Sequence, residues 1–583
     1  MQPGKRNMPA LLLVLCYLLS FLVACNSGNK VIGSSNTEAP ASKQIFVKPI
    51  LGNPSYAALD PALVTDVSSA SIVNMLYEGL VELNDFGGIQ DTLAQTHHVS
   101  PDGLTWTFTL RAHLQFNDGT PLTSADVAYS IDRALQPATH SFAAPYFLGL
   151  IKDSDKLEAG QIKTLIGDSI LTSDARTVVI ITNRRAAYFL YTLTNQTAYV
   201  VEKSFVTRYG SQFTMHLSQG GSSGPWQLAQ YLPNKEMDFV PNTHYAGSKT
   251  QLKKIVRPLY MSPNTAYKDY QVDRLDAAPI PAPQLAQVKK ATPGQYHQYP
   301  VLAINYLAMN YLVKPFDNIK IRQAFALALN KDLIAAKIYT GSAIATNHII
   351  PPGIPGYNAN LTGPTGERST AGDTAVAKKL FDAGLQEEGL TREKLPPIVL
   401  SVVGSNTAEV RAQYAVFQQM WQQALGITVT IDYVDDAKLQ TEIGAATNNP
   451  HGLMFWYAAW IADYPDAQDW TSLQFGRSSQ FNNMNYGQNS TADAAQQQAT
   501  QQSLVQADAS LVPAERLQRY QQAEQQLVND VAWLPVAQQV ASYVQKPCVQ
   551  GITDTPYGVT PPDDWGRVFI STATPCTNTS SYQ

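Results

Sequence analysis

The sequence predicts an α/β protein, and three observations lead to that class. Segments with helically spaced apolar residues alternate along the chain with short runs typical of strands. Hydrophobic residues make up 44% of the 583 positions and charged residues 15%, so a large core can form beneath a mostly neutral surface. No repeat of about 20–50 residues is visible, which argues against solenoids and propellers.

In the first half of the chain, each predicted element rests on a local pattern. Thr105–Leu110 alternates polar and apolar residues, as a half-buried strand does. Thr123 can cap a following helix, with Asp126 near the positive end of its dipole. The predicted elements are a helix at Ser69–Leu80, strands at Thr105–Leu110, Thr177–Thr182 and Gln227–Tyr231, and a helix from Ser124 to about Leu135.

The second half of the chain continues the alternation. A long amphipathic pattern from Ile319 to Tyr339, ended by Gly341, predicts one helix. The bias of Gln488–Gln506 to Gln, Ala, Ser and Thr predicts a solvated helix or a local insertion. Further helices are predicted at Ala408–Leu425 and from Pro513 to about Asn529, strands at Tyr306–Asn310, Ile398–Val403, Ile427–Tyr433 and Ala532–Val540, and an apolar, aromatic segment at Met454–Trp460.

The N-terminus has the layout of a secretory signal peptide. Two basic residues precede an apolar run from Ala10 to Val23, and Leu22-Val23-Ala24-Cys25 resembles a bacterial lipobox, in which the cysteine receives a lipid after cleavage. The run is short for a spanning helix, which needs about 20 apolar residues, although an uncut anchor is the alternative. We expect a lipoprotein signal peptide at residues 1–24, lipid on Cys25, a flexible tether at residues 25–43, and attachment to the extracytoplasmic face of a membrane.

Charge and motifs exclude several function classes. The formal net charge is −5, and removal of residues 1–24 leaves −7, so nucleic acid is a poor partner. No Walker A sequence, G-x-G-x-x-G, Cys-x-x-Cys or helix-spaced His pair occurs, so we expect no cofactor and no metal. Gly220-Gly221-Ser222-Ser223-Gly224 matches the G-x-S-x-G elbow of hydrolases, but strand-like residues follow it where that elbow needs a helix.

Cys548 and Cys576 are the cysteines that remain outside the signal peptide and the lipobox. An oxidising compartment favours a disulfide between them, although two free thiols are the alternative. Closing a loop of this size stabilises the fold by about 3–4 kcal/mol in the chain-entropy model.

One segment combines many aromatic residues with an acid, from Phe455 to Asp466. An acid beside Trp and Tyr, with few basic residues nearby, suits a cationic or amino-bearing ligand through charge pairing and cation–π contact. A core strand that ends in a surface Asp explains the same spacing equally well.

Several motifs in order along the chain resemble the solute-binding proteins of family 5, the oligopeptide and dipeptide receptors of ABC importers. The resemblance covers about residues 45 to 545. It is carried by Leu59-Asp60-Pro61-Ala62, Ile72–Leu80, Ser100–Phe108, Phe116–Val127, Gly224-Pro225-Trp226, Asn310 with Pro315-Phe316, Ile321-Arg322-Gln323-Ala324 and Ile350-Pro351-Pro352-Gly353.

The resemblance implies a two-lobed, periplasmic-binding-protein-like fold of type II, in the large cluster with an extra domain. The implied divisions are lobe I at residues 44–78, 201–304 and 535–583, an extra domain II at residues 79–200, and lobe III at residues 305–534. A protein of this kind performs no chemistry and needs no cofactor. It is expected to act as a monomer that captures a peptide between closing lobes and delivers it to ABC permease subunits.

The resemblance also implies site residues. Asp463, between Trp460 and Tyr464, matches the acid that grips a peptide's α-amino group. The stretch Asp66, Val67, Ser68 and Ser69 matches a backbone-pairing edge in the N-terminal lobe. Tyr457 stands where some oligopeptide receptors carry a basic residue, which leaves recognition of a ligand carboxylate open. Trp226 and Trp456 are candidate pocket walls, with a place in the core as the alternative.

Two other functions stay open at this stage. The same fold could bind a non-peptide solute, such as a sugar, a nickel chelate, haem or an opine. An exported hydrolase that uses Ser222 is the alternative from a different class.

We predict that Cys25→Ser releases the protein from the membrane and leaves ligand binding intact, because the lipid would attach through this thiol. Cell fractionation with immunoblotting, beside ligand binding on the released protein, measures both effects. Retention of the variant in the membrane fraction would contradict the lipobox.

Overall fold

The computed structural model describes residues 37–404, 406–557 and 560–582, which form a two-lobed α/β protein. The predicted signal peptide, Cys25 and residues 26–36 of the tether lie outside the described residues. The prediction that residues 25–43 are a tether is wrong for its last part. Ala39 is buried and donates its N–H to the Ile570 carbonyl at 2.8 Å, and Ala41–Lys43 forms a 3₁₀ turn.

The strands fall into three sheets and two short pairs. In chain order they are β1 (Ile45–Val47), β2 (Ile50–Leu51), β3 (Val81–Leu83), β4 (Ile89–Asp91), β5 (Ala94–Val99), β6 (Thr105–Leu110), β7 (Ile170–Asp174), β8 (Thr177–Ile181), β9 (Trp226–Leu232), β10 (Glu236–Pro241), β11 (Lys254–Tyr260), β12 (Ala277–Pro279), β13 (Tyr296–Met309), β14 (Ala343–Ala345), β15 (Ile398–Val403), β16 (Val429–Val434), β17 (Phe455–Ile461), β18 (Leu534–Gln545), β19 (Val549–Gln550) and β20 (Phe569–Ile570).

Helices lie between the strands along the described part of the chain. In chain order they are α1 (Val67–Leu76), α2 (Ser124–Leu135), α3 (Ala144–Leu148), α4 (Ser154–Glu158), α5 (Phe189–Thr192), α6 (Lys203–Tyr209), α7 (Pro263–Gln271), α8 (Leu285–Ala291), α9 (Ile319–Leu327), α10 (Lys331–Ile334), α11 (Thr374–Glu387), α12 (Ala408–Leu425), α13 (Asp436–Gly444), α14 (Ala467–Trp470), α15 (Ser472–Phe475), α16 (Ala494–Ala509) and α17 (Pro513–Asn529). Within the described ranges, no helix combines the length and the apolar character that a membrane span needs.

Several predicted elements are confirmed residue for residue. These are β6, α2, β15, α12 and α17. The capping box between Thr123 and Asp126 starts α2, as its sequence pattern indicates.

Two predicted helices are wrong in detail. The pattern from Ile319 to Tyr339 is not one helix, because the side chain of Asn330 accepts the Leu333 N–H at 2.9 Å and caps a new helix there. The segment Gln488–Gln506 is not merely solvated. Within α16, Gln501 is buried and its amide donates to the Phe475 and Tyr486 carbonyls at 2.8 and 2.7 Å.

The first lobe is built on the sheet β1-β11-β10-β9, with β2 also paired to β11. Its chain segments come from three distant parts of the sequence. Phe46, Trp226 and Val568, for example, share one apolar core. Cys548 and Cys576 form a disulfide beside this core, across 28 residues of sequence.

The second lobe is built on the seven-stranded sheet β12-β18-β13-β17-β15-β16, with β14 on β18. Alternate residues of β13 enter different cores: Leu307 and Met309 pack on one face, Tyr306 and Ala308 on the other. β13 and β18 pair along most of their length and continue into the first lobe, where β12 joins β18.

A third unit, here called the insert, has its own antiparallel sheet β5-β6-β8-β7 and its own core. Most residues of that core lie between Leu80 and Val200, and α2 packs on this sheet. The exception of interest is Tyr464, a second-lobe residue that is buried in the insert's core. The insert and the second lobe are therefore in contact.

Candidate functional site

A large cleft lies between the first lobe, the insert and the second lobe. It encloses about 1980 Å³, which is roughly twice the upper end of ordinary small-molecule pockets at about 300–1,000 Å³. The first lobe contributes Asp66 and Val67, the insert contributes Phe142 and Tyr146, and the second lobe contributes Asp463 and Phe481, among others.

The loop after β17 carries Asp463 into this cleft. The strand β17 pairs with β13 from Ala303 to Met309, so its end at Ile461 is fixed by the sheet. The buried Asp469 then holds the loop: its Oδ2 accepts the Trp460 indole N–H at 3.1 Å and the Asp463 backbone N–H at 3.3 Å. The carboxyl group of Asp463 is left facing the cleft.

The neighbouring acid Asp466 is structural. It caps α14 by accepting the Gln468 N–H at 2.9 Å. It also accepts two hydrogen bonds from Arg516, at 2.8 and 2.5 Å, in a buried bidentate ion pair. Of the three acids at positions 463, 466 and 469, Asp463 alone has a side chain exposed to solvent.

The surroundings of Asp463 raise the pKa of its carboxyl to about 7. The main cause is desolvation, because the walls of the cleft displace part of the water around the carboxyl group. The Asp463 side chain is still exposed in the cleft. A hydrogen bond from the Tyr146 hydroxyl lowers the pKa and so opposes part of the shift. Within the described part of the chain, no lysine, arginine or histidine forms an ion pair with Asp463. A positively charged group on a ligand could therefore act as the ion-pair partner of this carboxylate.

Aromatic contacts join the insert to the second lobe around Asp463. Tyr188 stacks on Tyr464 with ring centroids 6.4 Å apart, and Phe147 meets Tyr464 edge-on at 6.3 Å. The ring of Phe481 contacts Tyr146 of the insert, with centroids 5.6 Å apart, and Trp460 of its own lobe, with centroids 5.4 Å apart. These contacts line the cleft with ring edges and faces.

A backbone hydrogen bond adds to the same contact: the Ala187 N–H donates to the Asp508 carbonyl at 3.0 Å. The Asp508 side chain is held by the Ser472 and Tyr520 hydroxyls, both at 2.6 Å, and burial raises its pKa to about 6. The cleft also contains the exposed cations Arg184, Arg185 and Arg477.

The structure corrects the expectation for Asp66, Val67, Ser68 and Ser69. This stretch is not an extended edge, because it begins α1. Asp66 is the N-cap and accepts the Ser69 N–H at 3.0 Å and the Ser69 hydroxyl at 2.6 Å, while the Ser68 hydroxyl bonds the Leu51 carbonyl. Asp66 and Val67 still line the cleft, whereas Ser68 and Ser69 do not.

The three aromatic candidates Trp226, Trp456 and Tyr457 do not line the cleft. Trp226 is fully buried in the first-lobe core, and Trp456 is buried in the second. Tyr457 points to the opposite face of β17 from Trp460, because side chains alternate along a strand, and its hydroxyl contacts that of Tyr339. Trp460, Asp463 and Tyr464 do meet in the cleft.

The hydrolase alternative loses its candidate nucleophile. Ser222 is fully buried, and within the described ranges its Oγ has no hydrogen-bond partner. The residues described by the structure hold one group of potential metal ligands, Asp276 with Cys548 and Cys576. Because the two sulfurs are bonded to each other, this group offers a metal only one carboxylate.

Sequence reasoning missed the insert's share of the cleft. Phe142, Tyr146 and Tyr188 lie more than 250 residues from Asp463 along the chain, so only the fold brings them together. The pair Tyr146-Phe147 is an aromatic signal in the sequence, but nothing local distinguishes it from core residues.

Residues 88–482 match the family model described as "Bacterial extracellular solute-binding proteins, family 5 Middle". The chain is 26% identical over 501 residues to the oligopeptide-binding protein OppA of Bacillus subtilis, across 82% of this chain and 85% of that protein. It is 27% identical over 502 residues to the probable deoxycholate-binding periplasmic protein YgiS of Escherichia coli, across 85% and 88%.

Among solved structures, the chain is similar to the unliganded open form of the periplasmic murein tripeptide-binding protein MppA. The TM-score is 0.75 with 24% sequence identity, and the match covers 92% of this chain and 99% of that one. This likeness shows the fold.

We predict that Asp463→Asn stabilises the ligand-free protein more at pH 8 than at pH 5. The folded pKa of Asp463 is raised above its unfolded value of about 3.9, so its ionisation costs stability as pH rises from about 4 to 7, and the cost is fully present above 7. Denaturant unfolding of both proteins at the two pH values measures the difference.

Asp168→Asn is the control, because hydrogen bonding to Lys152 lowers the pKa of Asp168 and the same exchange should bring no gain at pH 8. An equal effect of Asp463→Asn at both pH values would show that the cleft does not desolvate this carboxyl.

Proposed function

The chain belongs to the bacterial extracellular solute-binding proteins of family 5, and we propose that it captures peptides in the cleft and delivers them to an ABC permease. The observation that carries the proposal is the carboxyl group of Asp463, which faces the cleft without a protein cation. A peptide's α-ammonium group would pair with it, and the rest of an extended peptide would lie along the cleft. The relatives named for oligopeptides and for a murein tripeptide support this ligand class.

We propose that the lobes move as the resemblance implies. Lobe I would comprise residues 44–78, 201–304 and 535–583, domain II residues 79–200, and lobe III residues 305–534. The register between β13 and β18 shifts between Pro300 and Ile304, near the proposed boundary between lobes I and III. Binding energy would favour a closed form, in which Asp463 and the first lobe contact the same ligand. This closed form would then dock on the permease.

The location of the protein follows from the same proposal. A lipid on Cys25, with the residues between it and Thr37 as a tether, would keep a monomeric receptor near its importer and raise its effective concentration there. The family's extracellular character agrees with this site of action. Binding and release need no cofactor, since the proposed steps are non-covalent.

A non-peptide solute is the second candidate. The similarity to a probable deoxycholate-binding protein supports it, and the cleft's aromatic lining suits an apolar ring system. A bile-salt-like anion would have no partner in Asp463, so it would depend on Arg184, Arg185 or Arg477 instead.

We predict that Asp463→Asn lowers the affinity for short peptides with a free amino terminus by about 30-fold or more. Removing one partner of a desolvated charge pair typically costs about 2–5 kcal/mol, and about 1.4 kcal/mol corresponds to a factor of ten. Isothermal titration calorimetry with a tetrapeptide gives the affinities of both proteins.

The same peptide with an acetylated amino terminus is the matched control. It should bind the unchanged protein weakly, and Asp463→Asn should cost it little more, because the ammonium group is already gone. Equal losses for both peptides, or unchanged affinity for the free peptide, would show that Asp463 does not hold the amino group.

A further inference from the structure

We propose that the cleft selects peptides with a bulky apolar side chain near the amino terminus, and that Phe142 of the insert is the residue that recognises it. This inference rests on the proposed peptide-binding function and adds a substrate preference to it. The supporting observations are four exposed apolar side chains in the cleft and the anchored loop of the insert that carries one of them, Phe142.

Large apolar side chains are exposed in the cleft from four separate elements. Val67 is 66% exposed at the start of α1, Phe142 is 86% exposed before α3, Ile461 is 56% exposed at the end of β17, and Val505 is 58% exposed on α16. Apolar groups from all three parts of the molecule thus face the same space. Exposed apolar side chains in a binding cleft are typical of a surface that a ligand covers.

The loop that carries Phe142 is fixed although its ring is free. The hydroxyl of Ser141 donates to the Ala62 carbonyl of the first lobe at 2.5 Å and accepts the Ala144 N–H at 3.0 Å. Immediately afterwards α3 begins, and its Tyr146 and Phe147 pack against Phe481 and Tyr464. Because the backbone is already anchored, a ligand that covers this ring has to order only the side chain and not the loop.

The position of the apolar groups relative to Asp463 sets the expected register. Ile461 precedes Asp463 by two residues, and Val67 directly follows the cap residue Asp66 on the other side of the cleft. An extended peptide advances about 3.3–3.6 Å per residue. Because Ile461 lies only two residues from Asp463, a ligand with its ammonium group on Asp463 would bring one of its first side chains near Ile461.

The chemistry of the cleft points to an apolar side chain rather than to a charged one at this position. No hydrogen-bonding group is present on the side chains of Phe142, Val67 and Ile461. A charged ligand side chain among them would therefore lose water without gaining a hydrogen-bond partner from them. A bulky apolar side chain would instead remove these groups from water when the lobes close.

A positional scan with tetrapeptides tests the proposal. One phenylalanine is moved through the first three positions of an alanine tetrapeptide with a free amino terminus, and serine replaces it in a parallel series. Calorimetry should show one position at which the unchanged protein prefers phenylalanine to serine by about tenfold or more. Phe142→Ala should reduce that preference to about twofold, and Ile461→Ser should reduce it independently.

Phe86→Ala is the matched control, because Phe86 lies on the β3–β4 turn, is 91% exposed and does not line the cleft. It should keep the full preference. Equal affinity for the two series at every position, or equal effects of Phe142→Ala and Phe86→Ala, would overturn the apolar preference while peptide binding stands. Failure of every peptide to bind the unchanged protein would overturn the peptide-binding function, and this inference with it.

Discussion

The pairing of β13 with β18 is the constraint on which the rest of the structure depends. Upstream of Pro300, β13 pairs with β18 beside β12; downstream of Ile304, it pairs with β18 on one side and with β17 on the other. The β13–β18 pairing, interrupted between Pro300 and Ile304, therefore links the first lobe to β13, which pairs in turn with the strand before Asp463, β17. In the lobe closure that we propose, these two strands would connect the moving parts.

The acids around α14 divide two tasks between them. Asp466, paired with Arg516, and Asp469, bonded to the Trp460 indole, are buried and fix the loop. Asp466 and the Oδ2 atom of Asp469 are hydrogen-bonded inside the protein, whereas the side chain of Asp463 opens into the cleft. Partial desolvation by the cleft walls disfavours the ionised form of Asp463 in the empty protein, and a cation beside the carboxylate would offset that cost. We infer that the rigid loop makes the binding site selective for an amino group.

Sequence patterns predicted the elements whose signals are local. The capping box at Thr123 and the alternation in Thr105–Leu110 need no tertiary context. The break at Asn330 was missed because helical periodicity continues across it. For Trp226 and Trp456 the sequence left the pocket and the core as alternatives, because position along the chain does not distinguish them, and the structure places both in the core. Phe142 lines the cleft because the insert contacts the second lobe, and no local sequence pattern predicts that contact between distant segments.

Peptide capture is tested most directly by the ligand that the protein carries from its own cell. The full-length protein would be purified without refolding from native membranes, denatured, and the released small molecules identified by mass spectrometry. We expect a mixture of short peptides with free amino termini, because a charge pair at one end and roomy side-chain contacts elsewhere tolerate many sequences. A single non-peptide solute, released in amounts comparable to the protein and without accompanying peptides, would contradict peptide capture.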